Sequence, residues 1–211
     1  MSDTPKDPGL ILPSAVLFDM DGTLTEPILD FPRIKAEMGI GDRPILEALA
    51  EMEVTARVSA QEVLRWHEEH AAQNSVLNGG CRELLEWLRR RGLRAGLITR
   101  NSRQSAQTFL ARHELSMDVL VVREDGPFKP DPFPLRLACQ NLDVEASQAW
   151  MVGDGQYDVE AGTAAGIRTV WISHGRQRPF AAAPWREVRD LPELHRLLLS
   201  IESACHDARG T

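Results

Sequence analysis

Short apolar runs recur along this chain, and polar stretches with helical spacing separate most of them. Ala15-Val16-Leu17-Phe18 comes first and ends directly in acids. Similar runs span Leu93 to Thr99, Val119 to Val122, Ala149 to Val152 and Arg168 to Ile172, each rich in Val, Ile or Leu. Continuous apolar runs of about five residues predict strands buried on both faces. The intervening stretches read as helices. Cys81 to Gly92 carries leucines at 84, 85 and 88 and stops at a glycine, and Ser102–His113 and Pro134–Asn141 behave likewise. Strands alternating with helices predict an α/β fold, a doubly wound parallel sheet. In such sheets ligands bind at the C-terminal ends of the strands.

One stretch breaks the alternation. Residues 26–78 hold helix signals and no convincing strand. Ile45, Leu46, Leu49 and Met52 fall at helical spacing. Ser59 followed by Glu62 has the form of a capping box, with Val63, Leu64 and Trp66 after it. Asn78-Gly79-Gly80 marks a break. The expected organisation is a core of residues 14–25 and 79–211 with a small helical insertion, 26–78, after the first strand. Residues 1–13 read as a loose, proline-rich arm, and Gly175 to Asp190 as a loop or an interface.

Composition narrows the function classes. The 211 residues are 43% apolar and 26% charged, as in an ordinary soluble domain. The net charge of −7 argues against nucleic acid and anionic membranes as partners. The basic cluster Arg89-Arg90-Arg91 with Arg94 fits a solvated helix end. No run approaches the length of a membrane span, and no signal peptide is visible at the N-terminus. Cys81, Cys139 and Cys205 are odd in number and widely spaced, which argues against a disulfide framework or a zinc site. The cytoplasm is the expected compartment.

The candidate chemistry sits at the strand tips. Asp19 and Asp21 place two carboxylates within three residues, and burying them unpaired would be costly. A cation bound by oxygen ligands, Mg²⁺ by type, resolves this. Gly22 permits a turn and a close approach of backbone to an anion. An acidic turn at a strand end remains the alternative for this segment alone. Thr99, followed by Asn101 and Ser102 at a helix start, can bind phosphate or simply cap the helix. Lys129 lies between Phe128 and Pro130 and is one of only three lysines. It can neutralise a carboxylate and a phosphoryl oxygen. Asp154 and Asp158 close the fourth strand and can complete a metal site.

These four segments, in this order, resemble the four motifs of the haloacid dehalogenase-like hydrolase superfamily. The matching stretches are Phe18-Asp-Met-Asp-Gly-Thr-Leu24, Ile98-Thr-Arg-Asn101, Lys129-Pro-Asp-Pro132 and Gly153-Asp-Gly-Gln-Tyr-Asp158. Ala161-Gly162-Thr-Ala-Ala-Gly166 also resembles the phosphoglycolate phosphatase-like branch. The resemblance covers roughly residues 14 to 175. It implies a Mg²⁺-dependent phosphatase acting on a small-molecule phosphate ester. Asp19 would be the nucleophile and Asp21 the acid and base. Thr99, Arg100 and Lys129 would bind the phosphoryl group. Asp19, the backbone of Asp21, and Asp154 would hold Mg²⁺, with Asp158 supporting that shell. The insertion would be a helical cap, somewhat shorter than is typical.

An aspartate at 21 favours phosphate esters, because phosphonoacetaldehyde hydrolases carry alanine there and haloacid dehalogenases tyrosine. A phosphotransferase or mutase, or a non-catalytic binding protein on the same fold, are the competing readings. Lys35 reads as a solvated helix lysine rather than a Schiff-base lysine. His67 and His70 read as packing or surface residues. Arg33, Arg43, Arg57 and Arg65 are candidate substrate contacts, each more simply read as a surface arginine. Monomer and homodimer are both compatible with the sequence.

Overall fold

The computed structural model describes residues 11–207, and the side chains of residues 11–204. Most of the arm expected over residues 1–13, and the Cys205 side chain, therefore lie outside the described residues. Six parallel strands form the sheet: β1 (Ala15–Phe18), β2 (Arg94–Ile98), β3 (Val119–Val121), β4 (Ala149–Gly153), β5 (Arg168–Ile172) and β6 (Arg186–Val188). Their order is β3-β2-β1-β4-β5-β6. The chain thus winds one way from β1 and then the other, and a crevice opens where the direction reverses.

Register brings the motif residues together. Phe18 pairs with Leu97 on one side and Val152 on the other. Asp19, Thr99 and Asp154, just past those residues, therefore share one edge of the sheet.

Successive side chains of a strand point to opposite faces, and both faces of this sheet are covered. Val16, Phe18, Trp150 and Val152 join one apolar cluster. It takes in α4 (Cys81–Arg90), α5 (Arg103–Arg112) and α8 (Leu191–Asp207). Ala15, Leu17, Ala149 and Met151 join the other, against α6 (Phe133–Leu142) and α7 (Gln156–Ala165). Burial on both faces explains why the strands read as unbroken apolar runs.

Three helices intervene between β1 and α4: α1 (Phe31–Met38), α2 (Ile45–Glu51) and α3 (Val54–Asn74). They carry their own core, in which Ile34, Met38, Ile45, Leu49 and Leu64 are buried together. Phe128, from the loop before α6, packs against that core and joins it to the sheet. The capping box expected at Ser59 does not start a helix. α3 begins at Val54, and Ser59 lies inside its second turn. A Ser-x-x-Glu pattern marks a helix start only where the chain leaves an extended conformation, and here the extended residue is Glu53.

The stretch from Gly175 to Asp190 contains a strand. β6 pairs with β5 at the sheet edge, Val188 opposite Ile172. Trp185, just before it, packs 4.8 Å from Trp150. Three residues, two of them charged, are too few to show a period. Among the described residues no helix is long and apolar enough to cross a membrane.

Candidate active site

A cavity of about 520 Å³ opens at the C-terminal edge of the sheet, roofed by α1–α3. Asp19, Asp21, Thr99, Arg100, Lys129, Asp154 and Asp158 all line it. Every expected site residue is thus in one place. Their contacts assign them different tasks.

Lys129 is the hub. Its side chain is 2% exposed. The ammonium donates to Asp19 Oδ1 at 2.6 Å, Asp158 Oδ1 at 2.6 Å and the Ile98 carbonyl at 2.7 Å. Three donors meet three acceptors, so all of its hydrogen-bonding capacity is used inside the protein. The sequence led us to expect a contact to phosphoryl oxygen as well; in this geometry one of those bonds would have to be exchanged. Burial alone would pull the ammonium down, but Asp158 and Asp19 outweigh it and hold it above the usual lysine range.

One ammonium faces three acids. Carboxylate oxygens of Asp19, Asp154 and Asp158 all lie within 4.8 Å of one another. Burial pushes the Asp19 carboxyl up to about 8 against the opposing pull of Lys129, with Asp158 and Asp154 adding to the rise. Asp154 is raised as well, by burial and then by Asp158. The cluster carries more negative charge than Lys129 can offset. An all-oxygen donor set with excess negative charge fits Mg²⁺.

Two glycines make room for this crowding. A Cβ at Gly22, where φ is +76°, would stand 2.6 Å from Asp154 Oδ2. A Cβ at Gly153 would stand far inside van der Waals contact of the Asp158 carboxyl group. We expect Gly153→Ala to lower stability by about 1–3 kcal/mol through overpacking. Chemical denaturation measures this, and a loss below about 0.5 kcal/mol would show that Asp158 moves aside freely.

Asp21 has separate partners. Its Oδ2 accepts from Asn101 Nδ2 at 2.6 Å. Burial pushes its carboxyl up to about 6; the Asn101 bond opposes this, and the charges of Glu68 and Asp154 add to it. Asn101, a candidate phosphate donor by sequence, therefore spends its side chain on the second acid. Thr99 Oγ1 accepts from the Asn101 amide at 3.1 Å, which leaves its own hydroxyl proton available.

Other residues entered the site without a sequence signal. Glu68, on α3, is 2% exposed and lines the cavity. It accepts from the Ser102 amide at 3.2 Å and pairs with Arg123. His174 Nε2 lies 2.6 Å from the Gly22 carbonyl, and Trp171 Nε1 donates to the Asp154 carbonyl at 2.9 Å. Arg176 donates to Asp154 Oδ2 at 3.1 Å. Each pairing spans far more sequence than any local motif reports.

Lys35 does not behave as a freely solvated lysine. It lines the cavity, half-buried, and donates to the Asp42 carbonyl at 3.0 Å. Arg33, Arg43, Arg57 and Arg65 are absent from the cavity wall. Three of them bond within the helical layer: Arg33 to Glu37, Arg43 to Glu51, and Arg57 to the Ala50 and Met52 carbonyls. His67 is buried against Glu37 at 2.7 Å, and His70 stacks on Trp66, so both histidines pack as expected.

Against known proteins, the family model for haloacid dehalogenase-like hydrolases matches residues 26–172. The chain belongs to this family. It is 34% identical to the phosphoglycolate phosphatase of Cupriavidus necator, over 81% of this chain and 85% of that one. It is 30% identical to the N-acetylmuramic acid 6-phosphate phosphatase of Pseudomonas aeruginosa, over 78% and 84% respectively. A solved hydrolase from Pseudomonas syringae shares the fold, with a TM-score of 0.76 at 20% identity, covering 89% of this chain and 98% of that one. The haloacid dehalogenase-like hydrolase fold thus accounts for the parallel sheet and the cavity at its edge.

Proposed function

We propose that this protein is a Mg²⁺-dependent phosphatase that hydrolyses a small-molecule phosphomonoester through a phosphoryl group carried on Asp19. One observation carries the reading: two half-buried carboxylates face one cavity, and each has its own partner. Asp19 is held by Lys129, and Asp21 by Asn101. Different partners suit different roles. Two relatives named as phosphatases support the same class of activity.

In the first step an Asp19 carboxylate oxygen attacks phosphorus, and the bond to the leaving-group oxygen breaks. Asp21 gives that oxygen its proton. In the second step Asp21 takes a proton from water, the water oxygen bonds to phosphorus, and Asp19 leaves with its electron pair. Splitting one displacement into two lowers each barrier. An acid near pH 6 suits both proton transfers close to neutrality, worth about 10²- to 10⁴-fold. The Thr99 hydroxyl supplies a donor for phosphoryl oxygen. Asp19, the Asp21 backbone and Asp154 would hold Mg²⁺, with Asp158 behind them; the ion would offset charge on the phosphoryl oxygens. Residues 26–78 act as a cap over the reacting atoms and keep out water. The reading places the protein in the cytoplasm.

Phosphate release from p-nitrophenyl phosphate and a panel of metabolite esters, with Mg²⁺, tests the activity. Retention of the phosphoryl group on an organic acceptor would favour a transferase instead. Asp154→Ala should raise the Mg²⁺ requirement about 10- to 100-fold or remove activity. Unchanged metal dependence would refute its role as a ligand.

A pH dependence follows with its sign. Asp21 and Asp19 are raised in the fold, to about 6 and about 8, above the ordinary aspartate value of 3.8. Their contribution to the metal-free protein is fully present below pH 3.8 and is lost as pH rises through 6 and 8. Mg²⁺ binds the ionised forms. The rise in Tm caused by Mg²⁺ should therefore be small near pH 5 and larger near pH 8. Thermal melts at both values check it, and an equal shift would contradict it.

A further inference from the structure

Arg100 was expected to bind the phosphoryl group, but its guanidinium is engaged elsewhere. Nη2 donates to both carboxylate oxygens of Glu47, at 3.0 and 2.9 Å. Nη1 donates to the Lys129 carbonyl. The guanidinium carbon lies 4.7 Å from the Phe128 ring centroid and 4.2 Å from that of Tyr157. Glu47 belongs to α2. Phe128 and Lys129 belong to the loop before α6, and Tyr157 to the first turn of α7, next to Asp158. One side chain, itself next to Thr99, thus joins the helical layer to three motif segments.

We infer that Arg100 is a positioning residue: its ion pair with Glu47 clamps α2 over the cavity, and it does not bind the phosphoryl group. Among the described residues two ion pairs tie the helical layer to the rest of the protein, and they differ in exposure. On the α3 side Glu68 is 3% exposed at its side chain and meets Ser102 and Arg123. On the α2 side Arg100 is 19% exposed and Glu47 37%. Arg100 and Arg123 are equally exposed, at 19%, but Glu47 is far more exposed than Glu68, so solvent screens the α2 pair more and it breaks more readily. The α2 side therefore opens to admit substrate while α3 stays docked as the hinge. The contact of the Arg100 guanidinium with the faces of two rings fixes where the clamp closes.

The kinetic part of the test rests on the proposed phosphatase activity, and the exchange part does not. Arg100→Met, Glu47→Gln and the double variant are compared with wild type on p-nitrophenyl phosphate and Mg²⁺, alongside amide hydrogen exchange. A clamp predicts that each single variant raises KM about tenfold, with a smaller change in kcat, and that the double variant is no worse than either single. Arg100→Lys, which keeps the charge, should recover part of the loss. Amides of residues 45–51 should exchange about tenfold faster in both singles, with residues 54–74 unchanged. The inference is overturned if Glu47→Gln alters neither readout. It is equally overturned if Arg100→Met is far more damaging than Glu47→Gln and the two losses add, the pattern of a phosphate ligand. If wild type releases no phosphate, the phosphatase reading fails and exchange over residues 45–51 decides the clamp alone.

Discussion

Asp19→Asn is expected to reduce phosphate release by about 10⁴-fold or more, since a nucleophile has no substitute among its neighbours. The fold should survive. Asparagine has the same shape, and its oxygen still accepts from the Lys129 ammonium. The substitution also removes a carboxyl that burial pushes up to about 8, so the metal-free protein should melt at the same temperature or higher. Steady-state kinetics and thermal melts on one preparation test both statements. Activity near wild type would remove Asp19 from the reaction, and a large fall in Tm would turn the loss into a folding defect.

Lys129→Met should have the largest effect on stability. The change leaves Asp19 and Asp158 without their shared cation, in a site where Asp154 already adds negative charge. Removing one partner of a buried ion pair costs about 3–5 kcal/mol, because the remaining charge is left uncompensated. Without Lys129 the Asp19 carboxyl shifts further up, so protonation relieves the strain. The deficit should shrink between pH 8 and pH 5. Denaturant unfolding at both values measures it. A deficit below about 1 kcal/mol at pH 8 would mean that solvent reaches the cluster and screens it.

What the sequence revealed, and what it hid, divides by range. Asp19 and Asp21 lie within three residues, and Asp154 and Asp158 within five, so local spacing announced them. The strands were legible because burial on both faces makes Ala15–Phe18 or Arg168–Ile172 continuously apolar. Glu68 and Glu47 gave no such sign. Each is one polar residue in a helix, and their partners Ser102 and Arg100 lie 34 and 53 positions away. Nothing local distinguishes them from a solvated face. Lys35 was hidden for the same reason: its neighbours Arg33 and Glu37 do look like a polar surface. β6 was too short to show a period, and Ser59 matched a capping pattern that the helix simply runs through.

Arg100 teaches most about the site. The residue follows Thr99 in a phosphate-binding segment, and a cation there suggests an anion ligand. The structure supplies that anion from within, as Glu47. Two of the site's cations are thus already paired: Lys129 with Asp19 and Asp158, and Arg100 with Glu47. A phosphoryl group entering this cavity meets excess carboxylate, which is why a divalent cation is central to the proposed reaction.

The stereochemical course at phosphorus tests the central claim most directly. The wild-type enzyme would hydrolyse an ester whose phosphorus is made chiral with oxygen isotopes. Two in-line displacements, first by Asp19 and then by water, predict net retention of configuration. Inversion would mean that water attacks the ester in a single step, and would contradict a phosphoryl group carried on Asp19.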